Sequence, residues 1–133
     1  MEEALAAWYA VLMERDISPR VRLPDAPVIR RLDAAALGRI LNNILSNAVK
    51  YSGGDLAVTL DEDGALTFSN SAPGMTPVLV QRLFDRYFTV ETGRRAGGLG
   101  LCISRELAEK MGGEIAASCQ EEVLTVCLRF PPP

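Results

Sequence analysis

The sequence contains no histidine. This absence excludes histidine metal ligands, Ser-His-Asp triads and the side chain that most often acts as general base near neutral pH. Any chemistry of this chain must therefore use amides, carboxylates and cations. Cysteine is also scarce, since the three present are odd in number and lack a Cys-x-x-Cys spacing, which indicates neither a disulfide framework nor a zinc site. We interpret Cys102, Cys119 and Cys127 as small reduced core residues.

Long apolar runs and concentrated positive charge are missing as well. No stretch approaches the roughly 18 apolar residues of a membrane span, and the N-terminal Met-Glu-Glu-Ala lacks the basic start of a signal peptide. The 14 Lys and Arg against 17 Asp and Glu give a formal net charge of −3, which argues against nucleic acid as the main partner. With 48% hydrophobic residues, the 133-residue chain is predicted to be one soluble, cytoplasmic domain, residues 1–133, without membrane contact of its own.

The most informative pattern lies within residues 34–52. Apolar residues recur there at the i, i+3, i+4, i+7 spacing of a buried helix face, and Asp33 is placed to cap the helix. Asn43, Asn47 and Lys50 share another stripe of the same helix. A solvated face is one interpretation, but asparagine is a poor helix former, so two in mid-helix indicate a use. Amide oxygens suit Mg²⁺ and an ammonium suits phosphate, which predicts a Mg-nucleotide site.

The rest of the chain predicts further helices and strands. The N-terminal helix is expected to dock on the domain, with partner binding as the alternative. In chain order, the predicted elements are a helix to residue 17, edge strands at 20–23 and 28–32, the central helix, a β-hairpin over 55–68, a short helix over 77–84, a helix from the glycine-rich segment to Met111, and a final hairpin over 114–130.

Two loops could approach a ligand. Residues 70–75 follow a strand and are rich in turn formers, and Gly74 would permit close backbone approach, although a plain loop is an equal interpretation. Gly97–Leu101 opens a helix with free N–H groups, an arrangement that suits phosphate but is weak evidence alone because many helix starts contain glycine. The segment between Phe88 and Gly98 has little to bury and is predicted to be mobile.

Taken together, these motifs resemble the catalytic ATP-binding domain of sensor histidine kinases, within the gyrase, histidine kinase and MutL ATPase (GHKL) superfamily. Residues 37–52 look like the family's N box, Phe84–Phe88 like its F box and Gly98–Leu101 like its second glycine box. The resemblance implies an α/β fold, a two-layer sandwich of the Bergerat type. It has a mixed sheet with about three helices on one face and a flexible ATP lid, here Thr89–Ala96.

The resemblance also implies a role for individual residues. Asn47 would hold Mg²⁺ at the ATP phosphates, Asn43 would assist, and Lys50 would meet a phosphate oxygen. Tyr51 would pack against adenine. The implied nucleotide-binding residues are Asn43, Asn47, Lys50, Tyr51, Asn70, Gly74, Met75, Phe84, Gly98, Leu99, Gly100 and Leu101; the implied catalytic residues are Asn43, Lys50 and Arg86; the implied lid residues are Thr89, Arg94 and Arg95.

The chain departs from the family pattern at several positions. Asn70 replaces the aspartate that accepts a hydrogen bond from the adenine amino group, and an amide oxygen can still accept that bond. Ala72 replaces a glycine. Thr89 replaces an arginine, so a cation at the γ-phosphate would be Arg86, Arg94 or Arg95. No Gly-x-Gly-Thr precedes the last strand, which leaves Thr125 without an assigned adenine contact.

The expected function follows from position 43. Hydrolytic members of the superfamily carry a glutamate base there, and Asn43 cannot take a proton, which favours transfer over hydrolysis. The γ-phosphoryl of Mg-ATP would pass to a histidine on a separate dimerisation domain and then to a response regulator. Without histidine the chain cannot phosphorylate itself, so it is interpreted as part of a longer, membrane-anchored kinase. The alternatives are a nucleotide-binding module that does not transfer phosphate, a serine kinase of the anti-sigma-factor type, and a purely structural interaction domain.

Overall fold

The computed structural model describes residues 10–14, 16–25, 28, 30, 32–52, 54–85 and 100–132, with backbone only for Tyr51 and Gly100. Residues 10–14 are helical, and the buried Leu12 agrees with the predicted docking helix over that part. The other elements are β1 Ser18–Arg22, α1 Ala34–Tyr51, β2 Asp55–Leu60, β3 Ala65–Ser71, α2 Pro77–Gln81, α3 Gly100–Lys110, β4 Glu114–Gln120 and β5 Val123–Arg129.

The five strands form one mixed sheet in the order β1-β2-β3-β5-β4. Strands β1 and β2 are parallel, and every other pair is antiparallel. One face carries the buried aliphatic and aromatic side chains, and the opposite face carries small, half-buried ones such as Thr67, Ser69 and Thr125. The core-facing residues of the three central strands are Leu56, Val58, Leu66, Phe68, Leu124, Val126 and Leu128. The predicted two-layer α/β sandwich is confirmed.

Helix α1 covers this buried face as its sequence pattern predicts. Ile40, Leu41, Ile44 and Leu45 are buried between the helix and the sheet. The Asp33 carboxylate accepts the N–H groups of residues 35 and 36 at 2.9 and 3.3 Å, so the predicted N-cap is confirmed. The helix is therefore fixed at its start, and its polar stripe is fixed relative to the sheet.

Three sequence predictions need correction. Residues 28, 30 and 32 are not in a strand. Arg30 instead donates to the carbonyl oxygens of Phe130 and Asp63 at 3.1 and 2.8 Å, which holds this segment across the end of the sheet. The short helix ends at Gln81 rather than at residue 84, because the chain turns at its C-cap. Of the three free cysteines, Cys127 belongs to the outer sheet face rather than to the core.

None of the described helices combines the length and the apolar character that crossing a membrane requires.

Gly113 and Gly38 should respond in opposite ways to alanine. A Cβ at Gly113 would lie 2.4 Å from Cδ1 of Phe130 and 2.6 Å from the carbonyl oxygen of Arg129, so Gly113→Ala should destabilise the domain by about 1–3 kcal/mol. Gly38 lies inside α1 with nothing within 4 Å of a Cβ, so Gly38→Ala should stabilise by about 1 kcal/mol through helix propensity. Urea unfolding of both variants measures the difference, and a Gly113→Ala variant as stable as the parent would contradict the packing.

Candidate functional site

The polar stripe of α1 lies partly buried beside α3. Asn43, Asn47 and Lys50 are each half-buried. Nδ2 of Asn43 donates to Oγ of Ser104 at 3.2 Å, and Ser104 is fully buried on α3. This contact joins two helices across 61 residues of sequence. It also fixes the amide of Asn43, so that its nitrogen faces α3.

Asn47 differs from its neighbour in having an unsatisfied donor. Its Nδ2 is buried and has no hydrogen-bond partner in the part of the chain that the structure describes. A buried amide N–H without a partner costs about 1–3 kcal/mol, and such groups in folded proteins call for an explanation. A ligand oxygen that accepts this N–H would remove the cost. Among the described residues, the amide nitrogen of Asn47 is therefore a group that would gain from an added hydrogen-bond acceptor.

The end of β3 supplies a second polar group on the same side of the sheet. Asn70 is only 3% exposed, and it pairs with the buried Leu124 on β5. Its Nδ2 donates to the carbonyl oxygen of Ser71 at 2.8 Å. Since the amide nitrogen is engaged there, Oδ1 is the atom available to accept a hydrogen bond. The structure thus presents an acceptor, as the aspartate of the family would.

The C-terminal ends of α1 and β3 are linked by hydrogen bonds. Ser52, the C-cap of α1, accepts the N–H of Asp55 on its Oγ at 3.0 Å. Oδ1 of Asp55 in turn accepts both the N–H and the hydroxyl of Ser71, the N–H at 2.9 Å. These bonds, the side-chain bond from Ser71 above all, lower the pKa of the Asp55 carboxyl below its ordinary 3.8. The role of Asp55 could not be predicted, because an aspartate at a strand start carries no distinctive pattern.

The loop after β3 turns tightly at Gly74. Gly74 has a φ of +84°, which a residue with a Cβ adopts only at a cost. The loop is closed by the N–H of Met75 donating to the carbonyl oxygen of Ala72 at 2.9 Å, and Met75 is buried. Ala72 is not among the residues with positive φ, so losing the family's glycine there strains nothing in the backbone.

The β4–β5 turn supports that loop from the side. The carbonyl oxygen of Glu122 accepts the N–H of Ala72 at 2.7 Å, and its carboxylate accepts the N–H of Gly74 at 3.4 Å. Glu121 and Glu122 both have positive φ, 52° and 59°, which is unfavourable for residues that carry a side chain. The contacts to the loop help to offset that cost, so the turn and the candidate site depend on each other.

Phe84 contacts α3 through Arg105. The guanidinium carbon of Arg105 lies 3.8 Å from the centre of the Phe84 ring, a cation–π contact, and Phe84 is mostly buried. Gly100 is the first residue of α3, and Leu101 is buried in the core. The Arg105 contact thus packs Phe84 against α3.

Some predicted site residues lie outside the described part of the chain. They are Arg86, Thr89, Arg94, Arg95, Gly98 and Leu99, together with the side chain of Tyr51 and the lid as a whole. Thr125 is described, and its hydroxyl lies 3.4 Å from that of Ser69 on the outer face of the sheet. It therefore has no place beside Asn70, which lies on the helix side. No group of three or more His, Cys, Asp or Glu among the described residues could bind a metal ion.

One mixed sheet with the helices packed on its buried face defines a two-layer α/β domain. The chain belongs to the family of histidine kinase-, DNA gyrase B- and HSP90-like ATPases, which matches residues 32–133.

Its relatives are sensor kinases. The sensor histidine kinase YcbM of Bacillus subtilis is 36% identical over 118 residues, 82% of this chain and 38% of that kinase. The mycobacterial sensor histidine kinase MprB is 26% identical with a TM-score of 0.74, covering all of this chain and 96% of the solved one. The nucleotide-free catalytic domain of histidine kinase ThkA has a TM-score of 0.83 at 19% identity, over 98% of this chain and 90% of the other, and shows the same fold. The resemblance in the sequence is confirmed.

Proposed function

We propose that this chain binds Mg-ATP and donates the γ-phosphoryl group to a histidine on a separate dimerisation domain, as the catalytic part of a two-component sensor kinase. The observation that supports this most directly is the buried, unsatisfied Nδ2 of Asn47 on the helix that carries the N box. The chain belongs to a family of ATPases, and its relatives YcbM and BaeS are histidine kinases.

The side chains of the N-box helix fit a metal-bound triphosphate. An amide has a donor and an acceptor, so Asn47 can give its N–H to a phosphate oxygen and its Oδ1 to Mg²⁺. Lys50, one turn further along α1, adds a positive charge for phosphate. Mg²⁺ commonly keeps several waters and binds through few protein ligands plus substrate phosphates, so one amide oxygen can be enough from the protein. When bound, the metal would neutralise charge on the phosphates.

The chain's own contribution is positioning. Asn43 holds α3 through Ser104, which keeps the N-box helix and the helix that begins at Gly100 in register. The amide of Asn43 cannot remove a proton from water, so the site lacks the base that hydrolysis would need at that position. Helix N–H groups at the start of α3 are suited to phosphate oxygens. Catalysis would then depend on alignment and electrostatics, without a covalent intermediate on this chain.

The acceptor and the later partners are part of the proposal. The chain spans 38% of the length of YcbM and 27% of the Escherichia coli kinase BaeS, so most of such a protein lies outside the matched region. We propose that the acceptor histidine, a response regulator and attachment to the membrane belong to the complete kinase, with this domain on the cytoplasmic side.

Incubation with labelled ATP tests transfer. We expect the chain to label the histidine-bearing dimerisation domain of its kinase, with label that is lost in acid and kept in base, as expected of phosphohistidine. A dimerisation domain in which the histidine is replaced by alanine should remain unlabelled. ATP binding without transfer to any such domain would favour the regulatory module, and acid-stable label on serine of a partner would favour the anti-sigma-factor type of kinase.

A further inference from the structure

Asn70 creates a problem of purine selectivity that an aspartate would not have. A carboxylate can only accept hydrogen bonds, so it matches the 6-amino group of adenine and repels a 6-oxo group. A carboxamide has both a donor and an acceptor. In one orientation it selects adenine, and after a 180° flip its N–H would suit the 6-oxo group of hypoxanthine or guanine. The domain must therefore fix the amide if it is to discriminate.

The structure fixes the amide through Ser71. Nδ2 of Asn70 donates one of its two N–H groups to the carbonyl oxygen of Ser71 at 2.8 Å, which directs Oδ1 away from Ser71. A flip would place Oδ1 against that carbonyl oxygen, two acceptors with no hydrogen between them. Asn70 is 3% exposed, so water cannot easily repair the loss. The orientation holds as long as the carbonyl group of Ser71 stays where it is. The peptide group that carries this carbonyl is held by its own N–H, that of Ala72, which donates to the carbonyl oxygen of Glu122 at 2.7 Å.

Asp55 holds Ser71 through the Ser71 side chain and through the peptide group that precedes Ser71. Oδ1 of Asp55 accepts the Ser71 N–H at 2.9 Å and the Ser71 hydroxyl as well. Asp55 is itself fixed, because its N–H donates to Oγ of Ser52 at 3.0 Å and its carbonyl oxygen accepts the Ser52 hydroxyl at 2.6 Å. Ser52 is the C-cap of α1, so the series of bonds begins at the end of the helix that carries Asn47. Together these bonds join the two ends of the candidate nucleotide site.

We propose that Asp55 is a positioning residue that sets the preference for adenine, acting on Asn70 through Ser71. This inference rests on the proposed function, since it assumes that Asn70 faces the base of a bound nucleotide. Asp55 itself would not contact the nucleotide. The side-chain hydrogen bond from Ser71 lowers the pKa of the Asp55 carboxyl, as expected where the ionised form accepts the bonds from Ser71.

The test compares ATP with inosine triphosphate, which carries a 6-oxo group in place of the 6-amino group. The dissociation constants of both nucleotides are measured by calorimetry with Mg²⁺ for the parent and for Asp55→Ala and Asp55→Asn. We expect the parent to prefer ATP by about tenfold or more, the effect of one well-placed hydrogen bond against a mismatched one. Asp55→Ala should reduce that ratio by about fivefold or more, and Asp55→Asn, which keeps an acceptor for the Ser71 N–H, should retain most of it.

An Asn70→Asp background supplies the matched control. A carboxylate cannot become a donor by flipping, so Asp55→Ala should leave the ATP preference of Asn70→Asp unchanged. Thermal unfolding checks that each variant is folded, and if Asn70→Asp is not, the comparison of Asp55→Ala with Asp55→Asn decides. Equal weakening of both nucleotides by Asp55→Ala, with an unchanged ratio, would overturn the inference while leaving nucleotide binding intact. A folded parent that binds neither nucleotide would overturn the proposed function itself.

Discussion

Asn47→Ala is expected to weaken ATP binding by about 100-fold and to remove its dependence on Mg²⁺. The substitution deletes a donor that is buried and has no hydrogen-bond partner among the described residues, together with the amide oxygen proposed for the metal. Hydrogen bonds to charged groups contribute about 1.5–3 kcal/mol each, and about 2.8 kcal/mol corresponds to a factor of 100 in the dissociation constant. The domain should not lose stability, because the amide N–H that is removed makes no hydrogen bond within the described chain. Titration calorimetry with and without Mg²⁺ measures both effects.

Asn42→Ala is the matched control for this experiment. It is the same substitution on the same helix, at a side chain that is exposed to solvent. ATP affinity should change by less than about threefold, as is usual for surface substitutions. If Asn42→Ala and Asn47→Ala weakened binding equally, the loss would come from the helix rather than from the site. If Asn47→Ala bound Mg-ATP like the parent, the assignment of Asn47 would be wrong.

The local features of the fold could be predicted from the sequence because short-range patterns determine them. The apolar period of α1, its cap at Asp33 and the alternation that forms the β2–β3 hairpin each involve residues within a few positions of one another. The same holds for the final hairpin and for the end of α3, predicted at Met111 and observed within one residue of it, at Lys110, shortly before Gly112 with its φ of +78°. Each of these predictions is confirmed.

The incorrect strand prediction shows what short-range patterns cannot determine. The segment over 28–32 has strand-like composition, but a strand also needs a partner edge, and no local pattern specifies one. Arg30 bonds to the carbonyl oxygens of Phe130 and Asp63, 100 and 33 residues away, and this long-range contact decides the path of the chain. The parallel pairing of β1 with β2 depends in the same way on tertiary placement.

In the candidate site, too, the features set by short-range patterns could be predicted and those set by long-range contacts could not. The row of Asn43, Asn47 and Lys50 was predicted because helical spacing places the three on one stripe, although their roles remain a proposal. The supporting contacts were not predicted, since they join distant positions. Ser104 lies 61 residues from Asn43, and Glu122 lies 48 residues from Gly74. Such partners have no signature in a single sequence, yet they orient the groups that a ligand would meet.

Phe68→Ala is expected to remove about 3–5 kcal/mol from the free energy of unfolding. Phe68 is 1% exposed at the centre of β3, opposite Val58 on β2 and Val126 on β5. Domains of this size are stable by about 5–15 kcal/mol, so the variant should be near the limit of folding at room temperature. Val78→Ala is the exposed control, because Val78 is 72% exposed and should change stability by less than about 0.5 kcal/mol.

This loss of stability also provides a test of nucleotide binding. A ligand that binds only the folded state at about 100 times its dissociation constant stabilises it by about 2.7 kcal/mol. Mg-ATP should therefore restore most of the decrease in urea midpoint that Phe68→Ala causes. Asn70 lies only two residues further along β3, so the candidate site forms only when this strand is folded. The same addition to a Phe68→Ala/Asn47→Ala double variant should restore little. Restoration of both variants to the same degree would show that ATP stabilises the chain somewhere other than at the N-box helix.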